Sequence, residues 1–198
     1  MSRGATARLF VAVDPPLSVR EDLVEWARGA AVAARAAGSS RGAVRLLDAE
    51  SLHLTLCFLG SRPVDEIEAL AAALAACAEQ PCELSVGAPL WLPTRRPHAL
   101  AVEVHDHEGE LALVRQRLSE VLSGASAWRP ERRRFRPHIT LARVRRGAGD
   151  RSGHERALPA TPRLSFTAEA IVMYRSWLAP EGASYEELAR SALVTAGR

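Results

Sequence analysis

Leu52-His53-Leu54-Thr55-Leu56-Cys57-Phe58 and Arg136-Pro137-His138-Ile139-Thr140-Leu141 carry one tetrapeptide twice, histidine, apolar, threonine, leucine. In an extended strand alternate side chains share a face, so each histidine points the same way as the threonine two residues on. The intervening leucine or isoleucine points into a core. Around the first copy this parity puts Leu52, Leu54, Leu56 and Phe58 on one apolar face and His53, Thr55 and Cys57 on the other. The duplication therefore predicts two half-buried strands, each presenting an imidazole and a hydroxyl.

Outward from the two copies, apolar periodicity and turn residues divide the rest of the chain. Residues 9–13 read as a strand closed by Asp14-Pro15-Pro16. Residues 18–37 read as a helix capped by Ser18, with Glu21 three residues on, and ended by Gly38-Ser39-Ser40. Strands are expected at 44–47 and 51–59, joined by a turn at Asp48, then an alanine- and leucine-rich helix at 64–78. Residues 82–92 and 98–104 form an expected hairpin connected by 93–97. A helix at 108–122, an arginine-rich segment at 123–136 and a strand at 138–144 follow. A loop over 146–162 and two strands, 164–177 with an interruption or bulge and 185–194, close the order. Hairpins alternating with helices favour antiparallel sheets covered by helices on one face, an α+β class. The motifs sit at comparable positions of the two halves, which predicts a pseudo-symmetric pair of lobes across a cleft.

Composition narrows the function. At 198 residues and 47% hydrophobic, the chain can bury a substantial core. No stretch approaches the roughly 18 to 20 apolar residues of a membrane span, and the apolar run near the start is too short for a signal peptide. A cytoplasmic protein is expected. Cys57, Cys77 and Cys82 are odd in number and lack metal-type spacing, which suits buried reduced thiols. All 26 basic residues are arginine. Adenylylation through a lysine adduct, a P-loop and Schiff-base chemistry each need an amine this chain lacks. The arginine excess reads chiefly as GC-rich codon usage. Still, Arg132, Arg133, Arg134, Arg136, Arg143, Arg145 and Arg146 flank the second motif, and guanidinium forks suit phosphate oxygens.

Two histidines held on opposite sides of a bound group can act as base and acid in a single displacement. Phosphodiester cleavage needs that pair, together with donors that hold the phosphoryl oxygens as charge builds. The threonine beside each histidine is placed for this. A metal site is poorly supported, because each motif offers one strong ligand and no carboxylate. His105-Asp106-His107-Glu108 looks more ligand-like but reads as a solvated turn, and His98 and His154 receive no role. Phe10 and Phe58 could stack a base, but core packing is the better default for both, since each sits in an apolar strand.

These residues resemble the 2H phosphoesterase superfamily, named for two HxT motifs. Within it they resemble the RNA 2′,3′-cyclic phosphodiesterase family, long labelled 2′-5′ RNA ligase (LigT-like). The resemblance rests on residues 9–13 with Pro15-Pro16, on His53 through Gly60, and on Phe135 through Arg143. Tyr174-Arg175-Ser176 with Leu178, Pro180, Gly182 and Tyr185 adds to it. It implies a bilobal fold in one domain, residues 1–198, with two antiparallel sheets facing a central cleft and helices on the outer faces. It implies metal-independent hydrolysis, without a cofactor, of an RNA 2′,3′-cyclic phosphate end to a 2′-phosphate. His138 would activate water, His53 would protonate the leaving 3′ oxygen, and Thr55 and Thr140 would bind phosphate oxygens. Arg143 matches a phosphate-proximal arginine, yet strict parity puts it on the wrong face. Either a bulge or the strand end re-aims it into the cleft, or it is structural and Arg136, which shares the face of His138, supplies the charge. Expected partners are RNA or oligonucleotides with cyclic ends and small cyclic nucleotides, bound by a monomer, with ATP-independent 2′-5′ ligation as a secondary reaction. Another cyclic nucleotide or a 2′-5′ oligonucleotide as substrate, and a non-catalytic nucleotide-binding module, stay open as alternatives.

Overall fold

The segment Thr6–Val13 forms the first strand, β1, and from Leu9 to Val13 every side chain is buried. Leu9, Val11 and Val13 enter the main core, while Phe10 and Ala12 are buried on the other face. Cover on both faces is why this strand reads as an unbroken apolar run. The structure, a computed structural model, describes residues 4–36, 44–77, 80–93, 97–144, 158–179 and 182–194. Gly38-Ser39-Ser40, Arg145, Arg146, His154 and much of the expected 93–97 and 146–162 connections lie outside those residues.

After the two prolines comes helix α1, Leu17–Ala36, so Ser18 lies inside it and is not its cap. The carbonyl of Pro16 accepts the first helical bond, from the amide of Arg20 at 3.1 Å, and a proline suits this end because its missing N–H has no intrahelical partner to lose. Next are β2, Val44–Leu46, a 3-10 turn at Ala49–Ser51, and β3, Leu54–Pro63. The helix expected from residue 64 opens with a 3-10 turn at Val64–Glu66 and continues as α2, Ile67–Ala75. A forked ion pair between Arg62 and Glu66 clamps this junction. The hairpin is β4, Cys82–Leu92, with β5, Ala99–Asp106; then come α3, Glu110–Ala125, and β6, His138–Val144. The anticipated interruption falls at Glu169, between β7, Ser165–Ala168, and β8, Ala170–Ala179, and β9, Gly182–Ala192, closes the chain.

All pairings are antiparallel, in the order β7-β4-β5-β6-β3-β1-β8-β9, with β2 also on β6. The ladder passes from β6 to β3 through one residue pair, Leu54 with Ile139. Among the described residues the nine strands thus form one continuous sheet that narrows to a seam at that single pair, with four strands on the β3 side and five on the β6 side, and the expected α+β fold holds. Leu70 and Leu74 of α2 and Leu111, Val114, Leu118 and Leu122 of α3 join β1 and β3 in one cluster. Side chains of this kind contribute roughly 1.5–3 kcal/mol each on burial. The helices thus cover one side of the sheet, and the other side, at the seam, is left for polar groups.

Candidate active site

Both tetrapeptides carry an irregularity at the same position. Val11 pairs with Cys57 and Ala12 with Thr55, which leaves Leu56 as an extra residue in β3. Leu100 pairs with Ala142 and Ala101 with Thr140, which leaves Leu141 as an extra residue in β6. An extra residue of this kind breaks the alternation and re-aims whatever follows. Leu56 and Leu141 sink into the core, and the parity beyond them is reversed. Arg143, which strict alternation would put on the core side, therefore lines the cleft. The same slip corrects the reading of Phe58. It does not share the core face of the leucines; it is half-buried beside the cleft with the Arg8 guanidinium 4.5 Å from its ring centroid. A second shift leaves Leu59 unpaired, next to Gly60 at φ 72°, a conformation that glycine adopts without strain.

Each histidine is held by the backbone two residues before it. His53 Nδ1 lies 2.9 Å from the Ser51 carbonyl and His138 Nδ1 lies 2.7 Å from the Arg136 carbonyl. A carbonyl oxygen can only accept, so both rings carry their proton on Nδ1. When the rings are neutral, the Nε2 lone pairs remain for chemistry.

The surroundings of the two rings differ. His53 packs on Phe10, with centroids 4.8 Å apart, and meets Tyr185 edge-on at 5.0 Å. Phe10 in turn stacks on Tyr174, whose hydroxyl donates to Asp14 at 2.7 Å; Arg190 also donates to Asp14, at 3.2 Å. Burial raises the Tyr174 pKa and keeps its proton in that bond. Desolvation lowers the His53 pKa to about 4, against the opposing pull of the Ser51 hydrogen bond and the charge of Asp14. At neutral pH His53 is uncharged. Phe10 is thus buried as expected, but beneath the imidazole and not in the helix-covered core.

A cleft of 280 Å³ is lined by His53, Thr55, His138, Thr140, Arg143 and Tyr185, among others. Five of the six residues singled out from sequence meet here. Arg136 does not: it lies in an adjoining groove of 530 Å³ and pairs with Glu103 at 3.2 Å, so part of its charge is already compensated. Tyr185 and His98 also line the cleft, although His98 received no role from sequence. Tyr185 is among the residues that carry the family resemblance but has no role from it, and a lone histidine beside a proline-rich turn carries no signal. Three or more metal-ligating side chains do not converge anywhere among the described residues. His105 and His107 are exposed at the end of β5, where Ser85 Oγ lies 2.9 Å from His107 Nε2. The three cysteines are buried, and burial raises the pKa of Cys57. No helix among the described residues is long and apolar enough to cross a membrane.

Residues 15–177 match the model of the 2'-5' RNA ligase superfamily. The chain is 32% identical over 193 residues to the RNA 2',3'-cyclic phosphodiesterase of Thermus thermophilus, an alignment covering 94% of this chain and 90% of that one. It is 27% identical over 195 residues to the Escherichia coli protein of the same name, covering 94% and 97%. Among solved structures, E. coli LigT complexed with 3'-AMP superposes with a TM-score of 0.74 at 25% identity, covering 96% of this chain and all of that one.

Proposed function

Since the chain belongs to the 2'-5' RNA ligase superfamily, we propose that it is an RNA 2′,3′-cyclic phosphodiesterase working by two-histidine acid/base catalysis without a metal. The observation that carries this reading is the pair of Nδ1-anchored imidazoles, His53 and His138, on one cleft with Thr55, Thr140 and Arg143. Relatives of that name, and LigT structures complexed with 3'-AMP and with phosphate, support a phosphate-bearing ligand. We read residues 1–198 as one two-lobed unit acting as a cytoplasmic monomer, with nucleoside cyclic phosphates as minimal substrates.

In the reaction, water attacks phosphorus opposite the 3′ oxygen. His138 Nε2 takes the proton of that water, the bond from phosphorus to the 3′ oxygen breaks, and His53 Nε2 hands its proton to the departing oxygen, leaving a 2′-phosphate. The Thr55 and Thr140 hydroxyls donate to the non-bridging oxygens, and Arg143 offsets their charge. With a pKa of about 4 in the empty cleft, His53 must gain its proton as the anionic diester binds. Were a 5′ hydroxyl to replace the water, the same displacement would form a 2′-5′ linkage without ATP, because the strained ring carries the energy.

The test is chelator-treated protein with nucleoside 2′,3′-cyclic phosphates, resolving 2′- from 3′-phosphate. His53→Ala and His138→Ala should each cost about 10²- to 10⁴-fold in rate. A 3′-phosphate product, or full turnover by either variant, would overturn the mechanism.

A further inference from the structure

The groove next to the cleft is a continuation of it. Thr55 and His138 line both, so a chain whose terminal phosphate lies between the histidines has an open path past them, along residues 55–58 of β3 and the segment 133–137. That segment is tethered on both flanks. Trp128, 7% exposed and five residues ahead of it, donates to the Phe58 carbonyl at 3.0 Å, and the Pro137 carbonyl at its end accepts from the Val104 amide at 3.0 Å.

The groove is basic and partly aromatic. Four arginines line the groove against two glutamates. Two of the four are already engaged: Arg115 donates to the Leu56 carbonyl and stacks its guanidinium 4.6 Å from the Phe135 centroid, and Arg136 pairs with Glu103. Arg133 and Arg134 are exposed and have no ion-pair partner among the described residues. Unpaired guanidinium groups along a groove are a means by which single-stranded nucleic acid is held, through phosphate contacts without sequence readout.

Resting on the assignment of the cleft to a cyclic phosphate end, we propose that this groove binds the RNA strand next to that end, through Arg133 and Arg134 on its phosphates. The groove makes an oligonucleotide a better substrate than a mononucleotide.

The experiment compares kcat/KM for a nucleoside 2′,3′-cyclic phosphate and for a short oligoribonucleotide ending in one, with the native chain and the double variant Arg133→Glu, Arg134→Glu. The native chain should favour the oligonucleotide by about tenfold or more at low salt, with a preference that shrinks as salt rises. The variant should lose that preference and turn over the mononucleotide within about twofold of the native rate, which also shows that it is folded. An undiminished preference in the variant, or none in the native chain, overturns the groove assignment. Absence of mononucleotide and oligonucleotide turnover by the native chain overturns the assignment of the cleft instead.

Discussion

Acidification should destabilise this protein through His53 in a measurable and separable way. An imidazole in the unfolded chain takes up its proton near pH 6.5, whereas in the fold desolvation delays uptake to about 4. Between these values the unfolded state binds more protons than the native state, so stability falls as pH falls. The loss begins near the upper value and is complete below the lower one. At about 1.4 kcal/mol per unit, moving from about pH 7.5 to about pH 4.5 costs about 2.5 kcal/mol at this one residue. Denaturant unfolding of the native chain and of His53→Asn at both pH values isolates it. Asparagine keeps a donor for the Ser51 carbonyl but does not titrate, and protonation of the carboxylates is common to both proteins and cancels. The native chain should lose about 2.5 kcal/mol more than the variant over this interval. Equal losses would refute the desolvation of the ring, as would a His53 Cε1 proton resonance titrating near the ordinary value.

If the bound diester restores the proton of His53, then binding of a non-hydrolysable nucleotide phosphate at neutral pH should take up close to one proton, read by calorimetry in buffers of different ionisation enthalpy. Uptake should vanish in His53→Asn. Tyr185→Ala removes the edge-on ring 5.0 Å from His53 and admits water, so the His53 pKa should rise from about 4 towards 6.5 in an NMR titration. Thr140→Val keeps shape and loses one donor at the cleft; kcat/KM should fall about 10- to 100-fold with thermal stability little changed. Leu118→Ala, at a fully buried site in α3, should cost about 2–5 kcal/mol in denaturant unfolding while leaving the His53 titration in place.

The elements were legible because their signals are local. The alanine- and leucine-rich run produced α2, the Cys82–Leu92 and Ala99–Asp106 strands alternate as a hairpin must, and the duplicated tetrapeptide marks both cleft strands. What alternation could not deliver were its own exceptions. Leu56 and Leu141 look like any strand leucine, and nothing in the sequence says that the partner strand skips them; pairing decides that. The position of Phe10 was equally hidden, since β1 is apolar on both faces and only the sheet order shows which side holds the imidazole. Arg136 shares the parity of His138, yet it points to Glu103, a residue that only β5 beside β6 brings within reach.

These exceptions also explain how two copies of one motif come to differ. In each, the histidine and threonine precede the extra leucine and keep the same aspect towards the cleft. In each, the position after the reversal also turns to the cleft side, as Phe58 in the first copy and Arg143 in the second. The repeated part supplies like groups on both sides of a phosphate, which an in-line displacement requires. The unrepeated position divides the surface into a charged end at Arg143 and an aromatic end at Phe58. Exchange of these two side chains by Phe58→Arg with Arg143→Phe should therefore leave both Nδ1 anchors in place, because those depend on Ser51 and Arg136 carbonyls upstream. It should still depress phosphate affinity, because the positive charge would lie in the groove and not beside Thr140. Unchanged affinity for a mononucleotide in that double variant would show that position along the cleft does not matter to the charge, and would remove Arg143 from the phosphate site.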